Sequence, residues 1–402
     1  MDVNLQNVPV LALQAEICRR YAPTFPPPML GGVTLPNALS PQEPPSSGTK
    51  YRVAIIGSGN WGSVVAKIAA YNTVRNSIFE DEVRMWVFEE LIEGQKLSEV
   101  INTKGENVKY LPGVQLGANV KAVPDLLEAV NLATLLVFVT PHQFVKGLCK
   151  QMIGNIPKHA RAISLIKGMD ITVSGPCMVS ETIEEVLGVE CSVLMGANVA
   201  NDVAKEEFCE ATVGCADANF AQTFVKLFDT SYFQVASTPN VKGVELCGTV
   251  KNVVALGAGF VDGLKLGSNT KAAIMRVGLE EMRKLSRKLF GDISDDVYFQ
   301  SCGVADLITT CYGGRNRKVS EAYVGKYKES PSEGGASLWE KLEKELLGGQ
   351  KLQGFLTSVD LQELLVARHW EHDFPFFTTI NLIATGKLDP INITSYRGCS
   401  RS

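Results

Sequence analysis

Three polar clusters break apolar stretches in this chain, and each holds a residue type capable of chemistry. "SLIKGMD" puts Lys167 at the end of a strand-length apolar run, and "LCGTVKNVVALGAG" puts Lys251 and Asn252 in the middle of a helix-spaced one. A lysine shielded from water is costly as a cation and gives up its proton more readily, which suits a general acid or base near neutral pH. For either lysine alone, a stem lying on apolar surface with its ammonium in solvent is the plain alternative. The third cluster, "GVADLITTCYGGRNRK", adds Asp306 and then two glycines ahead of Arg315 and Asn316, where a helix starts. Exposed N–H groups at a helix start together with a guanidinium fork match a phosphate in charge and geometry, and a solvated basic turn is the alternative.

A fourth stretch, "YRVAIIGSGNWGSVVAKIAAY", runs from an apolar strand through Gly57, Gly59 and Gly62 into a helix. A G-x-G-x-x-G in that setting is a dinucleotide signature. Gly57 allows the tight turn, Gly59 clears room for a pyrophosphate, and Gly62 lets helix and strand pack closely. At the end of the second strand, "WVFEE" offers Glu89, a carboxylate that would repel a 2'-phosphate, and no Arg follows to attract one. NAD is therefore expected over NADP.

These groups need a scaffold, and the hydrophobic pattern supplies one. Strand-length runs "YRVAII", "EVRMWVF", "VKAV", "ATLLVFV", "RAISLI", "CSVLM", "EATVGC" and "YFQVAS" alternate with amphipathic stretches, which implies βαβ crossovers and a mostly parallel sheet covered on both faces. From Pro239 onward the period becomes helical, and Pro239 is expected to open a helix. The predicted organisation is an extension over 1–49, an α/β dinucleotide-binding domain over 50–237, and an all-α substrate-binding and catalytic domain over 238–402. Residues 1–49 are crowded with Pro, Gly and Ser and are expected to be disordered, apart from a short helix over "LALQAEICRRY". An organellar leader is the alternative for that extension, but Asp2, Glu16, Glu43 and the scarcity of Arg count against it.

Composition narrows the partners. With 402 residues, 45% of them hydrophobic, the chain can fill two cores, and a formal net charge of -4 gives no general pull toward nucleic acid or anionic membrane. No stretch reads as a bilayer span. The 10 cysteines include no CxxC pair, and Cys149, Cys191 and Cys247 lie in apolar segments, as expected of free thiols in a reducing, cytoplasmic setting. His369 and His372 share a helix face without a further ligand nearby, so no metal site is expected.

The blocks "GSGNWGS", "WVFEE", "PHQF", "SLIKG", "MGANVA", "VELCGTVKNVVALGAGFVDGL", "GVADLITTCYGGRNRK" and "GGQKLQG" resemble, in order, those of eukaryotic NAD-dependent glycerol-3-phosphate dehydrogenases, from about Tyr51 to the end. The resemblance implies a Rossmann-type sheet domain followed by a helical one, and a homodimer. It implies that Lys251 exchanges the proton on the C2 oxygen of dihydroxyacetone phosphate or glycerol 3-phosphate, with Lys167, Asn252, Asp306 and Thr310 completing the polar site. Arg315 and Asn316 would hold the substrate phosphate. Gly57, Ser58, Gly59, Asn60, Trp61 and Gly62 would meet the NAD pyrophosphate and Phe88 and Phe144 would pack on the cofactor. Lys167, Ala200, Arg315, Lys351 and Gln353 would contact it as well. The rival readings are a related two-domain NAD dehydrogenase acting on another substrate and a non-enzymatic NAD-sensing protein.

Overall fold

The computed structural model describes residues 50–291, 293–348 and 351–396, all within one compact unit, Pro44–Ser402. The extension over 1–49, with its expected disorder and short helix, lies outside the described residues.

Eight strands form the main sheet: β1 Tyr51–Ile56, β2 Phe79–Trp86, β3 Val120–Val123, β4 Leu135–Phe138, β5 Arg161–Ser164, β6 Cys191–Met195, β7 Cys209–Gly214 and β8 Phe233–Thr238. Their spatial order is β8-β7-β6-β5-β4-β1-β2-β3. All neighbours are parallel except β6 and β7. The sheet is covered on both faces, so Val53 to Ile56 of β1 and all of β4 are buried, which is why these strands read as unbroken apolar runs. Ile56 at the end of β1 stands opposite both Trp86 of β2 and Phe138 of β4. Strand order reverses there, and the crevice beyond those carboxyl ends is where open α/β sheets bind ligands.

The helices that matter for the site are α1 Asn60–Thr73, α2 His142–Met152, α3 Val179–Leu187, α4 Val241–Gly263, α5 Ser268–Phe290, α6 Asp306–Gly313, α7 Arg315–Glu329, α8 Ala336–Leu347, α9 Gln353–Ala367 and α10 Pro375–Ala384. α4 is the axis of the helical part, buried from Gly243 to Val261 beneath α5, α6, α7, α9 and α10. α7 lies so close that a Cβ on Gly259 would stand 2.3 Å from the Arg317 carbonyl oxygen. α4 also corrects a sequence expectation, because it is 23 residues long and holds an 18-residue window of mean hydropathy 1.4, long and apolar enough to cross a membrane. Its whole apolar window is buried inside the protein, so that apolarity serves the core.

Three local features differ from the sequence reading. Pro239 stands outside α4, whose N-cap is Asn240. Two short hairpins, Leu91–Ile92 with Gln95–Lys96 and Asp170–Thr172 with Gly175–Cys177, have strands too brief to show an alternating pattern. A π-helical turn, Ser301–Ala305, precedes α6. Such turns carry no sequence signature and recur beside functional sites.

Candidate active site

A cleft of about 1180 Å³ opens at the sheet's strand-order reversal, and its floor is the glycine turn. Gly57 sits at φ +122, a conformation open to glycine, and ends β1 against Val139 and Thr140. A Cβ on Gly62 would lie 2.2 Å from the Gly57 carbonyl oxygen, so the start of α1 touches the end of β1 because position 62 has no side chain. A Cβ on Gly59 would meet nothing within 4 Å, leaving that backbone bare on the open side. α1 has no side-chain cap and no acidic residue in its first turn, so its positive end is offered to an anion. Ser58, Asn60 and Trp61 line the same floor, and Asn60 is fixed by donating to the Tyr110 carbonyl (2.7 Å) and to Asn201 (2.9 Å).

Phe88, following β2, and Phe144, on α2, line the cleft walls with 71% and 57% of their surfaces exposed. Large apolar faces left open beside a bare helix start suit the flat rings of a dinucleotide. Two buried polar atoms on cleft-lining residues, Thr140 Oγ1 and Asn198 Nδ2, have no hydrogen-bond partner. Orphaned donors of this kind fit a site completed by a ligand. The residues present therefore fit NAD.

At its far end the cleft adjoins a pocket of about 200 Å³, and Lys167, Arg315 and Gln353 line both. Lys251, on buried α4, is 4% exposed, and its ammonium donates to Asp306 Oδ1 (2.5 Å) and Thr310 Oγ1 (2.7 Å). Thr310 in turn donates to the Asp306 main-chain oxygen at 2.7 Å, one turn back on α6, which leaves its lone pairs for the lysine. Lys167 donates to the Gly196 carbonyl (2.7 Å), Asn198 Oδ1 (2.7 Å) and Asp306 Oδ2 (3.2 Å). Its side chain keeps 29% of its surface open, yet its ammonium end is enclosed by these three oxygens. Burial pushes Lys167 down to about 8; the Asp306 carboxylate opposes that shift and the Lys251 charge adds to it. Asp306 thus bridges both lysines. The π turn that delivers it is pinned to β7, where Ser301 Oγ donates to the Glu210 carbonyl (2.7 Å) and the Cys302 N–H to Thr212 Oγ1 (3.2 Å).

The opposite wall is an amide chain. Asn316 Nδ2 donates to Asn252 Oδ1 (2.9 Å), and Asn316 Oδ1 accepts from the Gly354 N–H (2.9 Å), which fixes the amide's orientation. Arg315 and Asn316 open α7, which has neither a side-chain cap nor an acidic first turn. The basic cluster divides at this point. Arg317 turns away to ion-pair with Asp262 (2.5 Å) and Glu321 (2.9 Å), outside the pocket.

The structure brings Lys167, Lys251, Asn252, Thr310, Arg315, Asn316, Lys351 and Gln353 to the pocket, with Asp306 behind the lysines. Ala200 lies on the cleft side, and Lys351 stands at the pocket's edge with its ammonium 3.0 Å from Glu343. One expectation needs correction. Glu89 accepts from the Ser98 N–H (3.1 Å) and Oγ (2.6 Å), at the start of helix Leu97–Lys104, and is not part of the cleft wall. The cleft's own carboxylate is Glu90, bonded to Tyr110 and Lys109. The sequence reading also missed Thr140 and Asn198, which sit in loops after strands, and His142, which opens α2; position just past a strand end was the one available signal. Among the described residues no group of three His, Cys, Asp or Glu side chains could hold a metal, and all eight described cysteines are free.

Comparison with known proteins agrees with this geometry. The family descriptions "NAD-dependent glycerol-3-phosphate dehydrogenase N-terminus" and "C-terminus" match residues 52–221 and 240–395. The chain is 54% identical over 351 residues to the chloroplastic glycerol-3-phosphate dehydrogenase [NAD(+)] 1 of Arabidopsis thaliana, covering 87% of this chain and 86% of that one. It is 50% identical over 342 residues to the cytoplasmic glycerol-3-phosphate dehydrogenase [NAD(+)] of Drosophila melanogaster, covering 85% and 92%. The solved glycerol-3-phosphate dehydrogenase of Saccharomyces cerevisiae superposes with a TM-score of 0.81 at 40% identity, covering 87% of this chain and 99% of that one. A bare glycine turn leading to two lysines on one buried carboxylate, carried by a sequence this close to those enzymes over nearly their full length, places the chain in the family of NAD-dependent glycerol-3-phosphate dehydrogenases.

Proposed function

We propose that this chain interconverts dihydroxyacetone phosphate and NADH with sn-glycerol 3-phosphate and NAD, using Lys251 as the acid and base on the C2 oxygen. The count of ammonium hydrogens carries the assignment. Lys251 donates two of its three N–H bonds, to Asp306 and Thr310, which leaves one for a substrate oxygen, whereas Lys167 donates all three to protein oxygens. When bound, the cofactor would supply the redox half of the chemistry, its reduced form giving a hydride to C2 and its oxidised form taking one back. As negative charge grows on the ketone oxygen, the Lys251 ammonium stabilises it and delivers the proton; in the reverse direction the neutral amine takes that proton back. Asp306 offsets the cost of burying the ammonium and fixes its direction with Thr310.

Arg315, Asn316 and the uncapped start of α7 take the substrate phosphate, with Asn252 beside them and Lys167 completing the wall. Gly57, Ser58, Gly59, Asn60, Trp61 and Gly62 hold the pyrophosphate. Phe88, Phe144, Ala200, Lys351 and Gln353, with Lys167 and Arg315, hold the remainder of the cofactor. Residues 50–237 then serve as the dinucleotide-binding domain and 238–402 as the substrate-binding and catalytic domain. The same reading takes the protein as a cytoplasmic homodimer; free, mostly buried thiols support a reducing compartment, and the dimer rests on the resemblance in sequence alone.

The test is NADH oxidation by the purified chain. Turnover with dihydroxyacetone phosphate and little with phosphate-free dihydroxyacetone is expected. Absence of turnover with the phosphorylated ketone, or equal turnover with a 3-hydroxyacyl thioester's ketone, overturns the reading.

A further inference from the structure

The first turn of α7 carries Arg315 and Asn316, and it is held from behind. α7 lies directly on α4: a Cβ at Gly259 would stand 2.3 Å from the Arg317 carbonyl oxygen, and one at Gly263 would stand 2.8 Å from the Glu321 carbonyl oxygen. The two glycines let the backbones approach this closely, but they offer no side chain to stop α7 from sliding along α4 or turning about its own axis.

Beside Gly263 on α4 stands Asp262, its side chain largely covered. One oxygen, Oδ2, accepts from Arg317 Nε of α7 (2.5 Å) and from Lys271 Nζ of α5 (2.8 Å). The Lys271 ammonium also lies over the ring of Tyr312, 4.5 Å from its centre, in the last turn of α6. Tyr312 precedes the Gly313–Gly314 turn and Arg317 follows it, with Arg315 and Asn316 between. One carboxylate thus reaches both arms of that turn, one directly and one through Lys271.

Successive residues of a helix are about 100° apart, so Arg317 points roughly 200° away from Arg315. With Arg317 bonded on the α4 side, Arg315 is turned toward the pocket that it lines. Inside the pocket the turn is also held by the bond from Asn316 to Asn252. Those amides face the substrate, whereas Asp262 grips the turn from outside, where no substrate competes. We propose that Asp262 is a positioning residue for phosphate recognition, setting through Arg317 and Lys271 the rotation of α7 at which Arg315 and Asn316 meet the substrate. This rests on Arg315 and Asn316 being the phosphate site, as proposed above.

Position and charge predict opposite effects. Removing a carboxylate behind Arg315 leaves the region more positive, which favours a phosphate, whereas a misplaced Arg315 disfavours it. The two separate in the ratio of kcat/KM for dihydroxyacetone phosphate to that for dihydroxyacetone, measured at saturating NADH. In Asp262→Asn this ratio should fall by about three- to thirtyfold, less than in Arg315→Ala. Arg317→Gln should give a similar fall, and Arg317→Lys should recover part of it, because an ammonium still meets the carboxylate. The double variant of Asp262→Asn with Arg317→Gln should lose no more than either single one, since the same contact is broken in all three. A ratio that stays or rises in Asp262→Asn, or losses that multiply in the double variant, overturns the proposal. Should Asp262→Asn fail to fold, Arg317→Gln carries the test, and an unchanged ratio there overturns it. An unchanged ratio in Arg315→Ala overturns the phosphate reading itself, whereas a collapse there beside a wild-type ratio in Asp262→Asn overturns only the role of Asp262.

Discussion

The two sides of the cleft bind by different means. The sheet side offers backbone and faces: bare N–H groups at Gly57–Gly62 and the exposed rings of Phe88 and Phe144. The helical side offers charges held in low-dielectric surroundings by partners from other elements, with Asp306 of α6 between Lys251 of α4 and Lys167 after β5. Buried carboxylates are a habit of that side. Glu245 of α4 accepts from the Val179 N–H (2.7 Å) and from Ser180 Oγ (2.6 Å) at the start of α3, and Glu281 of α5 accepts from the Phe376 and Phe377 N–H groups (both 2.9 Å) at the start of α10. Burial pushes both up to about 7, with those N–H donors holding them lower than burial alone would. A ligand on the sheet side needs shape, and one on the helical side needs charge and a proton. The division suits a reaction in which one partner brings a hydride and the other receives a proton.

Removing a charge from the helical side should cost most. In Arg315→Ala, the ratio of kcat/KM for dihydroxyacetone phosphate to that for dihydroxyacetone should fall by roughly one to three powers of ten, with Arg315→Lys recovering part because an ammonium lacks the fork. An unchanged ratio would place the phosphate elsewhere.

Changing shape on the sheet side should cost less and separate two glycines. In Gly62→Ala the new Cβ meets backbone at 2.2 Å, so α1 must shift and denaturant unfolding should show a loss of about 1–3 kcal/mol. Gly59→Ala meets no protein atom, so its stability should match wild type while NADH binds more weakly. Equal stability loss in the two variants would break the contrast.

An effect of similar size, seen only as a change with pH, concerns the buried glutamates. Glu245 is raised from 4.5 to about 7 in the folded chain, so its contribution to stability is fully present below pH 4.5 and is lost as pH rises through 7. Glu245→Gln has no such titration. Wild-type stability relative to this variant should therefore drop by about 1–3 kcal/mol between pH 4.5 and 8, read from urea midpoints. Parallel pH profiles would mean the carboxylate is not desolvated as its position implies.

The same contrast explains what the sequence disclosed. Strand runs and the glycine spacing are local patterns, so the mostly parallel sheet and the turn at Gly57–Gly62 were legible. Lys251 stood out because a cation in an unbroken apolar helix is conspicuous. Asp306 stood out in a cluster of its own, but its direct bonds to both lysines did not, since it lies 55 positions from Lys251 and is delivered by a π turn without a pattern of its own. Asn198 and Thr140 were silent for the same reason: their value comes from what faces them. Glu89 misled because a carboxylate's direction depends on its bond to Ser98, nine residues on, and the pattern that marks a strand end says nothing of that bond.

The account stands or falls on the third N–H of Lys251. Lys251→Met keeps the stem's bulk and removes both proton and charge, so single-turnover NADH oxidation at saturating dihydroxyacetone phosphate should slow by at least about a hundredfold. NADH affinity, in which Lys251 is given no part, should stay within about twofold of wild type, below the loss of one hydrogen bond. Near-normal single-turnover rates in this variant would contradict the account, and the acid would have to be sought at Lys167.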